Sequence, residues 1–160
     1  EVLGLADSFG LAFFKAEEAA MPPLPTEGAV LISLADKSHR AALQVARDYA
    51  KLGFRIRATR GTHAFFAGHG IEAEPIHKLG EGRPNIIDGI MNGEIQLVIN
   101  TPIGKRSQTD DSYIRKAAIK HKVPYVTTLA AALASAKGIA ARRLGRGGVK
   151  ALQDYHRDMR

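Results

Sequence analysis

Apolar and polar positions along the chain follow two periods by turns, and the alternation predicts most of the architecture. Ala29-Val-Leu-Ile-Ser-Leu34 is an almost continuous apolar run, the pattern of a strand covered on both faces. Asp36, Lys37 and Ser38 open a helix in which Ala42, Val45, Ala46, Tyr49 and Leu52 recur at helical spacing, with Gly53 as its C-terminal stop. Phe54, Ile56 and Ala58 then alternate with Arg55 and Arg57, a short strand with one buried face. The spacing predicts that Thr59-Arg60-Gly61-Thr62 turns the chain into a helix over residues 63–68, followed by a strand from Ile71 to Ile76. His77 to Pro84 holds too many glycines and charges for regular structure and reads as a mobile loop beside a site. Pro84 starts a helix striped by Ile87, Ile90 and Met91, and Gln96 to Asn100 is another buried strand. Thr109, Asp110 and Asp111 cap a helix running to Lys122, Val123 to Thr127 is a last strand, and Thr128 begins an Ala-rich helix to about Arg143. After a loose Gly145–Gly148 stretch, residues 151–159 form a short terminal helix. Strands alternating with helices, about five of each, predict an α/β three-layer sandwich: a parallel sheet of about five strands with helices on both faces.

Upstream of that series, Ser8 to Ala20 is apolar around most of a helix, and Pro22, Pro23 and Pro25 end it in a stiff extended linker. The boundaries are therefore set at 1–20, 21–27 and 28–160. The first residue is Glu1, not Met, which suggests a piece of a longer chain.

Composition changes this picture little. With 45% hydrophobic and 24% charged residues the chain is ordinary for a globular protein, and no apolar run is long enough to cross a bilayer. The absence of cysteine rules out disulfides and thiolate metal sites, and a reducing cytoplasm is the simplest setting. The net charge of +7 does matter. It is concentrated toward the C-terminus, and with aromatics at only 6% and none interleaved with a basic run, it points to an anionic ligand or an acidic neighbour more than to nucleic acid.

In an open parallel sheet, ligands bind at the carboxyl ends of the strands. The residues leaving those ends are Asp36-Lys37, Thr59 to Thr62, Lys78, Asn100-Thr101 and Thr127-Thr128. Lysines as point charges, with Thr and Asn as neutral donors, make a phosphate pocket. A strand running through a Thr/Gly turn into a helix start adds free amides and a dipole that favour an anion. Taken alone, that turn reads better as an ordinary strand-to-helix connection with Thr62 merely capping the helix. No Walker lysine loop and no Gly-x-Gly-x-x-Gly follows a strand. His63 and His69 fall on different faces of a helix, so no metal site is expected, and Asp110 and Asp111 read as complements to a helix dipole.

The order D-K-x-x-R, A-T-x-G-T, H-K-x-x-E-G-R-P-N, V-I-N-T-P-x-G-K and P-Y-V-T-T-L resembles the C-terminal allosteric domain of the carbamoyl-phosphate synthetase large subunit, which has the methylglyoxal-synthase-like fold. The match runs from about Gly28 to about Ala140, and residues 1–20 look like the end of that subunit's preceding ATP-grasp half. The resemblance implies a non-catalytic regulatory domain whose effector is a nucleoside monophosphate, UMP or IMP. Its phosphate would be held by Lys37, Thr59, Thr62, Lys78, Asn100 and Thr101, with Tyr125, Thr127 and Thr128 as a second effector contact. It also implies the rest of the large subunit and a glutaminase small subunit as partners, and a parent enzyme that makes carbamoyl phosphate from bicarbonate, glutamine-derived ammonia and ATP. That parent would use ATP with Mg or Mn, whereas no cofactor is expected for this chain itself; oligomerisation of the parent is left open.

Two positions depart from the family pattern. Pro102 stands where some members have threonine, removing a hydroxyl and a backbone donor. Val126 stands where some members place the aspartate of an ornithine-binding Tyr-Asp-Thr run. Two rival functions are weighed beside this one. Methylglyoxal synthase, a lyase acting on dihydroxyacetone phosphate, needs an aspartate in the loop where this chain has Gly80-Glu81-Gly82-Arg83, and an arginine cannot abstract a proton. A basic nucleic-acid-binding module would instead show strongly salt-dependent binding.

Overall fold

The computed structural model describes residues 2–20, 22–34, 39–101, 108–145 and 148–158. Five strands, β1 (Ala29–Leu34), β2 (Arg55–Thr59), β3 (Glu74–Ile76), β4 (Leu97–Thr101) and β5 (Tyr125–Val126), form one sheet in the order β3-β2-β1-β4-β5. Every pairing is parallel. The chain starts in the central strand, steps outward through β2 and β3, then returns across β1 to lay down β4 and β5. The reversal falls between β1 and β4, and their carboxyl ends mark the crevice where open sheets of this kind bind ligands.

Helices cover both faces. Val30 and Ile32 of β1, Ile56 and Ala58 of β2, and Leu97 and Ile99 of β4 point into a core closed by α2 (His39–Lys51), α3 (Arg60–Ala67) and α6 (Leu129–Arg143). The intervening Leu31 and Val98 point the other way, onto α4 (Ile86–Met91) and α5 (Gln108–Lys120). Alternation in the strands thus sorts one apolar run into two cores. The expected α/β sandwich is the observed one.

α1 (Phe9–Ala20) packs against α6, where Gly10 and Gly138 let the backbones close. A Cβ added at Gly138 would stand 3.0 Å from the Gly10 carbonyl oxygen and 3.2 Å from Phe14 Cβ. Phe14 and Leu24 are buried in the same core as the sheet. The proline-rich stretch is held by Arg143, which donates to the carbonyls of Thr26 and Leu52 and lies 5.6 Å over the Phe54 ring. A last helix, α7 (Leu152–Asp158), returns its Tyr155 hydroxyl to the Leu5 carbonyl.

Several boundaries differ from expectation. β2 runs into α3 with no intervening turn, so Gly61 and Thr62 lie inside the first helical turn. β3 and β5 are shorter than their apolar runs; Ile71 and Val123, placed in strands by pattern, instead follow helix ends and donate to Phe66 and Ala118 carbonyls. α4 is capped by Asn85, whose carbonyl accepts from the Ile87 and Asp88 amides while Asp88 accepts from the Asn85 amide, so Pro84 stands outside it. Gly53 ends α2 as read: its φ is +74°, its amide reaches Ala50, and Phe54 bonds back to Tyr49.

Candidate functional site

Sheet register brings the polar residues of the carboxyl edge into line. Ser33 of β1 pairs with Asn100 of β4, and Ile32 pairs with Ala58, which sets Thr59 beside Ser33 in the next row. On the outer side Thr59 pairs with Ile76. Thr59, Ser33 and Asn100 are all buried, as is Thr62 just above them. Polar side chains this deep at a strand end need partners, and two clusters supply them.

The first cluster joins β2, α3 and β1. Thr62 Oγ1 accepts the Leu34 amide at 3.3 Å and the Thr59 hydroxyl at 3.3 Å. The two hydroxyls use one proton between them, so one hydroxyl proton of the Thr59–Thr62 pair has no recipient among the described residues. Thr59 is the residue at the N-cap of α3, with extended backbone (φ −64°, ψ 153°), yet its side chain makes no capping bond to the helix. The first-turn amides of α3 therefore lack the side-chain acceptor that commonly satisfies one of them. Gly61 lies in that turn, and a Cβ there would meet nothing within 4 Å, so the space over the helix start is open. Beside it is a cavity of about 260 Å³ lined by Arg60, Pro75, Ile76, His77 and Glu81.

The second cluster joins β4, β5 and α5. Asn100 Nδ2 donates to Asp111 Oδ1 at 2.7 Å and to the Tyr125 hydroxyl oxygen at 2.8 Å. Its Oδ1 is left with no partner among the described residues. Burial raises the Tyr125 phenol above its ordinary range; the Asn100 bond lowers it, the Asp111 charge raises it and Arg115 lowers it.

Of the sequence-predicted residues, Thr59 and Thr62 meet each other, and Asn100 meets Tyr125. Thr101, half-buried, ends β4. Lys78 is exposed, in the loop after β3; its amide donates to Glu81 Oε2 at 3.2 Å, and its ammonium makes no ion pair among the described residues. Thr127 is exposed past the end of β5, and Thr128 caps α6 by accepting the Ala131 amide at 3.1 Å. Lys37, with Asp36 and Ser38, lies outside the described residues, as does Pro102.

Asp111 and Ser33 enter the site without having been predicted there. Asp111 reads in sequence as a complement to the helix dipole at the start of α5. The helix begins earlier, at Gln108, and the first turn carries the Asp111 carboxylate over Asn100 instead. Ser33 sits inside an apolar run that gives no hint of a polar role. In the predicted lyase loop, Arg83 is largely exposed and paired with Asp88 at 3.3 Å. Among the described residues no three His, Asp or Glu gather as metal ligands, and no helix is long and apolar enough to cross a membrane.

Comparison with known proteins places the chain in a family. Residues 41–127 match the model of the MGS-like domain. The chain is 46% identical over its whole length to part of the carbamoyl phosphate synthase large chain of Gemmatimonas aurantiaca, and 48% identical, over 99% of its length, to that of Archaeoglobus fulgidus. In each case it spans 15% of the relative's length. It is also 48% identical over 139 residues to the carbamoyl phosphate synthase large chain, C-terminal section, of Aquifex aeolicus, covering 87% of this chain and 26% of that one. Among solved structures, the crystal structure of ForH superposes with a TM-score of 0.53 at 21% identity, covering 76% of this chain and 83% of that chain, a likeness of fold alone. The family model alone covers more than half of the 160 residues, including the β2–α3 and β4–α5 junctions that build the site, and the chain belongs to the MGS-like domain family.

Proposed function

We propose that this chain is the regulatory domain of a carbamoyl-phosphate synthase large chain, and that it binds a nucleoside monophosphate, UMP or IMP, at the carboxyl edge of its sheet. The observation that carries the reading is the buried Thr59–Thr62 pair at the start of α3. It offers a hydroxyl proton and first-turn amides toward open space. A phosphate accepts such donors and is favoured by the helix dipole. Lys78, and Lys37 from the β1–α2 connection, would neutralise it, while Asn100 and Thr101 shape the floor. The Oδ1 of Asn100, without a partner among the described residues, suits a donor-bearing part of a nucleotide better than its phosphate, which would orient the ligand from α3 toward β4. Residues 1–20 would be the end of the preceding synthetase domain and 21–27 the linker.

An effector changes the parent's activity only through a difference in its affinity for two arrangements of the subunit. The domain would contribute no chemistry itself; ATP and its metal would act in the synthetase domains.

The test is calorimetric titration with UMP and with IMP in phosphate-free buffer. Saturable binding of at least one is expected. Thr62→Ser should retain it, and Lys78→Ala should weaken it by about 1.5–3 kcal/mol, the range for a hydrogen bond to a charged group. No saturable heat from either nucleotide, with the chain folded, would overturn the reading, and unchanged affinity in the Lys78 variant would remove that residue from the site.

A further inference from the structure

Between α4, α5 and the β3–α4 connection lies a groove of about 420 Å³ that shares no residue with the Thr59–Thr62 and Asn100–Asp111–Tyr125 clusters. Its apolar surface comes from Ile87, Met91, Tyr113 and Ala117, and one lip carries Lys116 and Lys120. Among the described residues no carboxylate lines it. Arg83, a further cation on the rim, is turned to Asp88.

Two features of this surface have no role in the fold. Met91 is 57% exposed and Tyr113 55% exposed, so large apolar groups face water across the groove. Lys116 and Lys120 stand four apart on α5, one turn, so their ammonium groups project along the same side. Neither lysine has a hydrogen bond or an ion pair among the described residues. An apolar trough edged by two unpaired cations at one-turn spacing complements an amphipathic helix that carries carboxylates along the edge of its apolar stripe.

We propose that the α4–α5 groove is a docking surface for an acidic amphipathic helix of a protein partner. Its apolar residues would sit over Ile87 and Ala117, and its carboxylates would face Lys116 and Lys120. The phosphate backbone of a nucleic acid would use the lysines and leave the apolar trough empty, and among the described residues only Tyr113 and the His121 imidazole line the groove as rings for stacking. The proposal does not depend on nucleotide binding and is tested without any.

The probe is a synthetic helical peptide with leucines at i, i+3, i+4 and i+7 flanked by glutamates. A control peptide has every glutamate replaced by lysine. Binding is followed by fluorescence anisotropy and by amide chemical shifts of the labelled chain. The acidic peptide should bind saturably and shift amides of α4 and α5, and the control should bind about tenfold or more weakly. The double variant Lys116→Glu/Lys120→Glu, exposed on α5 and so free of core strain, should invert that order and prefer the lysine peptide. The inversion guards against a variant that merely unfolds. The proposal is overturned if the acidic peptide fails to saturate, if the double variant keeps the original preference, or if shifts map outside α4 and α5. Perturbation of the same amides by a single-stranded RNA but not by the peptide would overturn it too.

Discussion

At the scale of the residue, the site turns on whether a side chain is held by the fold or left over from it. The Thr59–Thr62 pair is both: the Thr62 oxygen fixes the Leu34 amide, and one hydroxyl proton of the pair is unspent among the described residues. Gly61 beside it separates the two roles cleanly. Its Cβ would enter open space, so Gly61→Ala should stabilise the unliganded chain by about 0.5–1 kcal/mol, as a glycine in a helix usually allows. The same methyl group would occupy the volume proposed for the phosphate, so nucleotide affinity should fall while the melting temperature rises. A variant that gains stability and binds as before would place the anion elsewhere. Tyr125 gives a second residue-scale expectation. Its phenol is raised above 10.0, chiefly by burial. Below pH 10 it is neutral in both the folded and unfolded chains and costs nothing. As pH climbs past 10 the unfolded chain ionises first, and stability falls until the folded phenol also loses its proton. Tyr125→Phe should flatten part of that alkaline decline in denaturant midpoint; Tyr49, which burial raises in the same direction, contributes to it as well. That Thr59, Thr62 and Asn100 gather at the carboxyl edge was legible in the sequence, because small polar residues stand out where an apolar run stops. Asp111 was not, since a carboxylate near a helix start has an ordinary electrostatic explanation.

At the scale of the element, period was a sound guide to type and a poor one to ends. Every strand and the helices after them were legible from runs of Val, Ile, Leu and Ala. The ends were decided by hydrogen bonding that composition does not display, as where Val123 leaves its apolar run to close α5 by bonding Ala118 at 2.8 Å. That closure puts Lys122 at φ +55°, a left-handed backbone that costs a residue with a Cβ. Lys122→Gly should raise stability by about 0.5–1 kcal/mol in urea unfolding; a loss would mean that the lysine side chain compensates. The α1–α6 contact makes the opposite forecast. Gly138→Ala places a methyl 3.0 Å from the Gly10 carbonyl oxygen and should cost about 1–3 kcal/mol by prising the helices apart. Neither glycine's role could be read beforehand, because close approach between distant helices leaves no local pattern.

At the scale of the whole molecule, the topology gathers the polar ends of separate segments onto one edge. Ligand binding at that edge should stabilise the entire chain. At a nucleotide concentration a hundredfold above Kd the gain is about 2.7 kcal/mol. For a chain of 160 residues that raises the melting temperature by about 5–10 °C, measurable by scanning calorimetry. No shift at saturating UMP and IMP would contradict the calorimetric binding expected of the site. The basic excess was legible from composition, but its division between Lys37 and Lys78 near the carboxyl edge and Lys116 and Lys120 on the α5 lip was not, since a net charge carries no positions.

The amino-terminal side of the sheet is built differently from that edge. Gly53, Gly70, Gly93 and Lys122 each end a helix in a left-handed residue, and the next amide reaches back five residues, at 3.1, 3.0, 2.9 and 2.8 Å for Phe54, Ile71, Glu94 and Val123. Four latches of one kind, spread across the sheet, tie helix ends to strand starts along that whole side. The carboxyl side has a nine-residue connection between β3 and α4, residues 77–85. In deuterium exchange, the latch amides should therefore open only with global unfolding, while the connection exchanges through local opening. Any motion that an occupied carboxyl edge transmits to its surroundings would have to pivot about the latched side, which stays fixed as a base.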